Sequence, residues 1–142
     1  AALLAGAPVV VDVRMVAAGI TARPSTVALD LAPPGTGDLT RSAAGIRAAV
    51  SEHPRGAVWV VGNAPTALAE LVRCAAAGLL TTPLVVGLPV GFVGSVAAKA
   101  GLRAAGLPAV SNRSERGGAA AAAATVNALL YSPEPPTSEE TS

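Results

Sequence analysis

The sequence predicts an α/β fold with a mainly parallel sheet and helices on both of its faces, and three observations lead there. Short apolar runs rich in valine alternate with longer stretches in which apolar residues recur at helical spacing. The apolar runs are continuous rather than alternating, as expected for strands covered on both faces. The third observation is a repeated punctuation. Val58-Trp59-Val60-Val61 stops at Gly62-Asn63 and restarts through Ala64-Pro65-Thr66 as a helix, and Leu84-Val85-Val86 stops at Gly87 and restarts beyond Gly94. Proline suits a first helical turn because its missing N–H would be unpaired there anyway. Such a strand-to-helix turn is expected to aim main-chain N–H groups into the space above the sheet edge, where anionic groups bind.

The elements follow in order. Ala7 to Val13 reads as a buried strand ending at Asp12, and Arg14 to Ile20 as a short helical turn closed by Gly19. Thr26 to Leu31 reads as a second strand, and Ala32 to Asp38, with Pro33, Pro34, Gly35 and Gly37, as a loop. Thr40 is placed to cap a helix from Arg41 to Val50, in which Ala43, Ile46 and Val50 share a face. The Val58 strand leads into a helix from Pro65 to Ala77, stopped by Gly78. After the Leu84 strand comes a helix from Val93 to Ala105, stopped by Gly106. Pro108-Ala109-Val110 is a short last strand, and Gly117-Gly118 opens an alanine-rich helix from Ala119 to Leu130, suited to close packing or to an oligomer interface. Residues 132–142, rich in Pro, Ser, Thr and Glu, read as a disordered acidic tail outside a single domain of residues 1–131.

Composition narrows the function. In a chain of 142 residues, 51% is apolar, enough for one packed core. Net charge is +1, but Glu134, Glu139 and Glu140 lie in the tail, so the ten bases of the body meet six acids and give it about +4. That is too weak and dispersed for a nucleic-acid stripe, and suits an anionic small molecule met by a few arginines. One cysteine, Cys74, excludes a disulfide framework and reads as a buried, inert thiol. No paired histidines, no C-x-x-C and no nucleotide-binding glycine motif occur, so neither a metal nor a nucleotide is implied. No apolar run spans a bilayer and the opening Ala1-Ala2-Leu3-Leu4-Ala5-Gly6 has no basic n-region, so the expectation is a soluble, cytoplasmic protein.

Ligands of such sheets sit beyond the carboxyl ends of the strands. The residues placed there are Asp12, Arg14 and Met15, Asn63 and Thr66, Gly87 to Gly94, and Asn112 to Gly118, with Arg41 joining from its first helical turn. Each has a plainer reading as well. Asn63 serves turns, Arg41 sits on a helix surface, Asp12 can cap the turn that follows it, Lys99 is a solvated mid-helix residue, and Arg113 and Arg116 are loop charges. His53, the single histidine, reads as an exposed residue at a helix exit.

Five stretches in register resemble the precorrin-8X methylmutase family of corrin biosynthesis: Asp12 to Ile20, Thr40-Arg41-Ser42-Ala43, Gly62-Asn63-Ala64-Pro65-Thr66-Ala67-Leu68, Gly87-Leu88-Pro89-Val90-Gly91-Phe92-Val93-Gly94, and Arg116-Gly117-Gly118 with Val126 to Leu129. The resemblance implies a flavodoxin-like, three-layer α/β/α fold, a homodimer, no cofactor, and an isomerase that moves a methyl group from C11 to C12 of precorrin-8, giving hydrogenobyrinic acid, or does so on the cobalt form. It also implies a substrate rimmed by acetate and propionate carboxylates. Carried over residue by residue, it points to Arg41 as the active-site candidate. It points to Asp12, Met15, Thr40, Ser42, Asn63, Thr66, Gly91, Phe92, Lys99, Arg116, Gly117 and Gly118 as substrate-binding. The family's catalytic histidine would precede Ala1, so the chain is expected to lack an N-terminal part. Ser95-Val96-Ala97-Ala98-Lys99 keeps the family's lysine without its Glu and Ser, and Glu115 stands where the family has an arginine. A second reading is a corrinoid-binding or carrier domain without catalysis. A third, a nucleotide-binding module, has no phosphate loop to support it.

Overall fold

Valine-rich runs flanked by turn residues have little choice but to pair, and five of them do. The computed structural model describes residues 6–21, 24–35, 37–89, 94–111 and 117–131. Strands β1 (Val9–Val11), β2 (Thr26–Val27), β3 (Val58–Val61), β4 (Leu84–Gly87) and β5 (Ala109–Ser111) form one sheet in the order β2-β1-β3-β4-β5, with every pairing parallel. Between and after them run helices α1 (Arg14–Gly19), α2 (Arg41–Glu52), α3 (Pro65–Ala76), α4 (Ser95–Ala104) and α5 (Ala119–Tyr131). This is the flavodoxin-like strand order.

The register places Val10 against Trp59 and Val11 against Val60, so alternate residues of neighbouring strands share a face. Val10, Trp59, Val61 and Val85 face α2, α3 and α4 and meet Ile46, Val50, Leu68, Leu71 and Leu102. Val9, Val11, Val58, Val60 and Val86 face α1 and α5 and meet Val16, Ile20, Val126 and Leu129. The three layers follow directly. Small side chains on α5 (Ala122, Ala123) bring that helix close to the sheet. Asn127 then ties it to α1 by donating from Nδ2 to the Gly19 carbonyl (2.8 Å) and accepting the Thr21 N–H (2.9 Å).

Most boundaries fall within a residue or two of expectation. Gly78 and Gly106 stop their helices in the left-handed region, with φ of 76° and 72°. The second strand is corrected. It ends at Val27, and Ala28–Leu31 is a 3-10 turn. The Leu29 N–H donates to the Asp12 carbonyl (3.1 Å), which draws the chain off the sheet edge. There α2 lies on it so closely that any side chain on Gly45 would strike the Ala28 carbonyl. The first strand is likewise shorter than the apolar run around it, because Val13 turns into α1. The tail at 132–142 lies outside the described residues.

Candidate functional site

In a sheet of order 2-1-3-4-5 the direction of winding reverses between β1 and β3, which opens a crevice at their carboxyl ends. Two loops meet there, residues 12–13 after β1 and 62–64 after β3. One side chain joins them. Asp12 accepts the Gly62 N–H at Oδ1 (3.0 Å) and the Asn63 and Ala64 N–H groups at Oδ2 (2.9 and 3.0 Å). It is 1% exposed. Burial raises its carboxyl above the ordinary range, and the three main-chain donors pull the other way.

This corrects two expectations. Asp12 does not cap α1, which has no side-chain cap. Nor are the N–H groups of the β3–α3 turn left open for an anion, because the protein's own carboxylate fills them. The turn is also tight. A Cβ on Gly62 would lie 2.7 Å from Val16 Cγ2 and 2.9 Å from Ala122 Cβ, so only glycine lets α1, α5 and β3 converge.

Beside this floor stand the N-termini of α2 and α3. Thr40 caps α2, its Oγ1 accepting the Ala43 N–H (3.1 Å). The same oxygen is 2.9 Å from Thr66 Oγ1 in the first turn of α3, so two residues distant in sequence form one hydroxyl pair. Arg41 is exposed at the first position of α2, and Ser42 behind it is half-buried. Asn63 is exposed on the turn that leads into α3, and Met15, 73% exposed, rises from the first turn of α1. A shallow cleft of about 270 Å³ is lined by Thr40, Thr66, Leu39, Ala69, Glu70 and Arg73 among others. Asp12, Met15, Thr40, Arg41, Ser42, Asn63 and Thr66 thus share one edge of the molecule.

The remaining candidates lie elsewhere. Lys99 is 0% exposed on α4, with Ser95 also fully enclosed and Ser111 at the end of β5 3% exposed. The solvated reading of Lys99 is therefore corrected: its stem is packed inside the helix layer. Gly118 donates its N–H to the Leu88 carbonyl (2.8 Å), and a side chain on Gly117 would strike that same carbonyl. The Gly-Gly pair thus seals the exit of β4 against the start of α5. Gly91, Phe92 and Arg116, with Arg113, lie outside the described residues. His53 is the C-cap of α2, at the far end of that helix from Arg41.

One cluster has only a faint signal in the sequence. Glu70 on α3, with its side chain 6% exposed, is held by Arg73 (Nη2 to Oε2, 2.7 Å) and by Arg47 of α2 (Nε to Oε2, 3.0 Å). The hydrogen bond from Arg73 and the charge of Arg47 hold its carboxyl down, to about 2. The Arg73 guanidinium is raised in turn. The spacing of Glu70 and Arg73 is visible in the sequence as a helical pair, whereas the reach of Arg47 across from α2 is not. Cys74 is buried beside them, as expected, and burial pushes its thiol up.

A family model described as CbiC, precorrin-8X methylmutase, matches residues 1–132. A cobalt-precorrin-8 methylmutase of Synechocystis sp. is 39% identical over 132 residues, which cover 88% of this chain and 60% of that protein. A precorrin-8X methylmutase of Pseudomonas aeruginosa is 43% identical over 140 residues, 91% of this chain and 67% of that one. The chain therefore spans between 60% and 67% of the length of these two relatives. A solved structure of precorrin-8x methyl mutase from Thermus thermophilus superposes with a TM-score of 0.78 at 34% identity, over 91% of this chain and 68% of that one. A solved precorrin-8X methylmutase related protein gives 0.75 at 35% identity, over 90% and 74%. The chain belongs to the precorrin-8X methylmutase family.

Proposed function

We propose that this chain forms the substrate-holding part of a methylmutase of corrin biosynthesis, which shifts a methyl group from C11 to C12 of precorrin-8, or of its cobalt form, to give the hydrogenobyrinic skeleton. Family membership supports the reaction. The observation that carries the binding role is the hydroxyl pair Thr40–Thr66 at two adjacent helix N-termini, with Arg41 in the same turn. The positive ends of the α2 and α3 dipoles and a guanidinium suit the carboxylated rim of such a macrocycle. The rearrangement needs a held geometry and a proton delivered to the ring. In this reading the protein acts in the cytoplasm as a homodimer without a cofactor, residues 1–131 forming the domain and 132–142 an acidic tail.

The second reading is corrinoid binding without turnover, which the same hydroxyl pair and Arg41 would serve. Incubation with precorrin-8, followed by visible absorption, separates the two. Spectral conversion supports the isomerase, and tight binding of hydrogenobyrinic acid without conversion supports the binding domain. Arg41→Ala is expected to weaken hydrogenobyrinic acid binding by about tenfold to a hundredfold, the worth of one charge-assisted contact. Unchanged affinity in a calorimetric titration would remove Arg41 from the pocket.

A further inference from the structure

The edge proposed to hold the corrin has Arg41 at the head of α2 on one side and the buried carboxyl of Asp12 at the switch point. Asp12 is enclosed, and its carboxyl lies beneath the Gly62–Ala64 main chain that it holds. The three amides that would otherwise greet an anion point down at Asp12. Among the described residues no ion pair reaches it. Arg14 is committed to Asp30 (3.0 Å), the β3–α3 turn and the described start of α5 carry no ionisable side chain, and Arg41 stands on the other side, at the head of α2.

Resting on the function proposed above, we infer that Asp12 sets the orientation of the macrocycle and the proton affinity of its ring. The carboxylate rim lies toward Thr40, Arg41 and Thr66. The conjugated ring, whose rearrangement requires it to take up a proton, lies over Asn63 and the turn held by Asp12. A negative charge at that distance favours the protonated ring over the neutral one and disfavours a carboxylate in the same place. Asp12 is thus a positioning residue, acting through the turn without touching substrate. No electron or group is transferred to it.

The test is the protonation of bound hydrogenobyrinic acid, read from its visible spectrum as a function of pH with ligand and protein both in excess of the dissociation constant. Asp12→Asn keeps the shape and one acceptor but removes the charge, and is expected to lower the midpoint for protonation of the bound chromophore by about one pH unit. Asn63→Asp adds a charge at an exposed position of the same turn, without asking the core to repack, and is expected to raise it. These opposite shifts are not what loss of stability alone produces. Equal midpoints in wild type and Asn63→Asp, or a midpoint unmoved in a folded Asp12→Asn, overturn the inference while leaving corrin binding intact. No binding of hydrogenobyrinic acid by the wild-type chain overturns the functional reading and this inference with it.

Discussion

Trp59 is the largest fully buried side chain, at the centre of β3 beneath α2 and α3, and its indole N–H has no hydrogen-bond partner among the described residues. The two facts oppose each other energetically. Removing the ring would open a cavity costing about 3 to 5 kcal/mol. The unsatisfied N–H costs on the order of 1 to 3 kcal/mol in the wild type. Trp59→Phe trades lost volume for relief of that penalty and is expected to lower stability by less than about 1.5 kcal/mol, against about 3 to 5 for Trp59→Ala. Urea unfolding of both variants decides it. A phenylalanine variant as unstable as the alanine one would mean that the N–H is satisfied. Asp12 shows the limit of sequence reading at this scale. An acid after a valine run announces a strand end, but the partners of its carboxylate lie 50 to 52 positions away. Nothing local in the sequence distinguishes such a bridge from a cap or from a ligand contact.

Helices α2 and α3 are joined at two levels, by Thr40 and Thr66 at their heads and by Glu70 with Arg47 and Arg73 farther down. The hydroxyl pair is part of the proposed site, and the lower joint links the same two helices. The Glu70 carboxyl is depressed from 4.5 to about 2, and its side chain is 6% exposed. The unfolded chain therefore takes up this proton more readily than the folded one. The contribution of Glu70 is fully present above about pH 4.5 and is lost as the pH falls towards 2. Its size is on the order of 2 to 3 kcal/mol, reduced somewhat because both guanidinium groups are about half exposed. Glu70→Gln is expected to be less stable than wild type by about this amount at pH 7, with the gap closing as the pH falls from 4.5 towards 2. A gap that stays constant through that interval would assign the loss to packing. The elements themselves were legible, since apolar runs and helical spacing dictate where strands and helices form. The clearest departure, Thr26 to Leu31, arose because an edge strand two residues long ends at tertiary contacts, the Leu29 N–H on the Asp12 carbonyl and Gly45 against Ala28, that no local pattern encodes.

For the whole molecule, parallel strands and covering helices could be anticipated from composition, and the strand order then fixes where a ligand sits. The sequence also shows how charge is divided along the chain. The body carries about +4 while Glu134, Glu139 and Glu140 bring the chain to +1. If the function proposed above holds, a polyanionic corrin and the acidic residues of 132–142 would compete for the same weak positive field, over distances where salt screens strongly. Deleting residues 132–142 is therefore expected to speed association of hydrogenobyrinic acid severalfold at about 10 mM salt, where the screening length is about 30 Å, and to have no effect at about 1 M, where it is about 3 Å. Stopped-flow absorbance at the two salt concentrations measures it. A rate gain that survives high salt would point to a tail that blocks the site by contact, and equal rates at low salt would show that the tail's charge does not reach the crevice. Thermal unfolding of the same deletion bears on the boundary proposed at residue 131, because a domain that ends there keeps its melting temperature when the tail is removed.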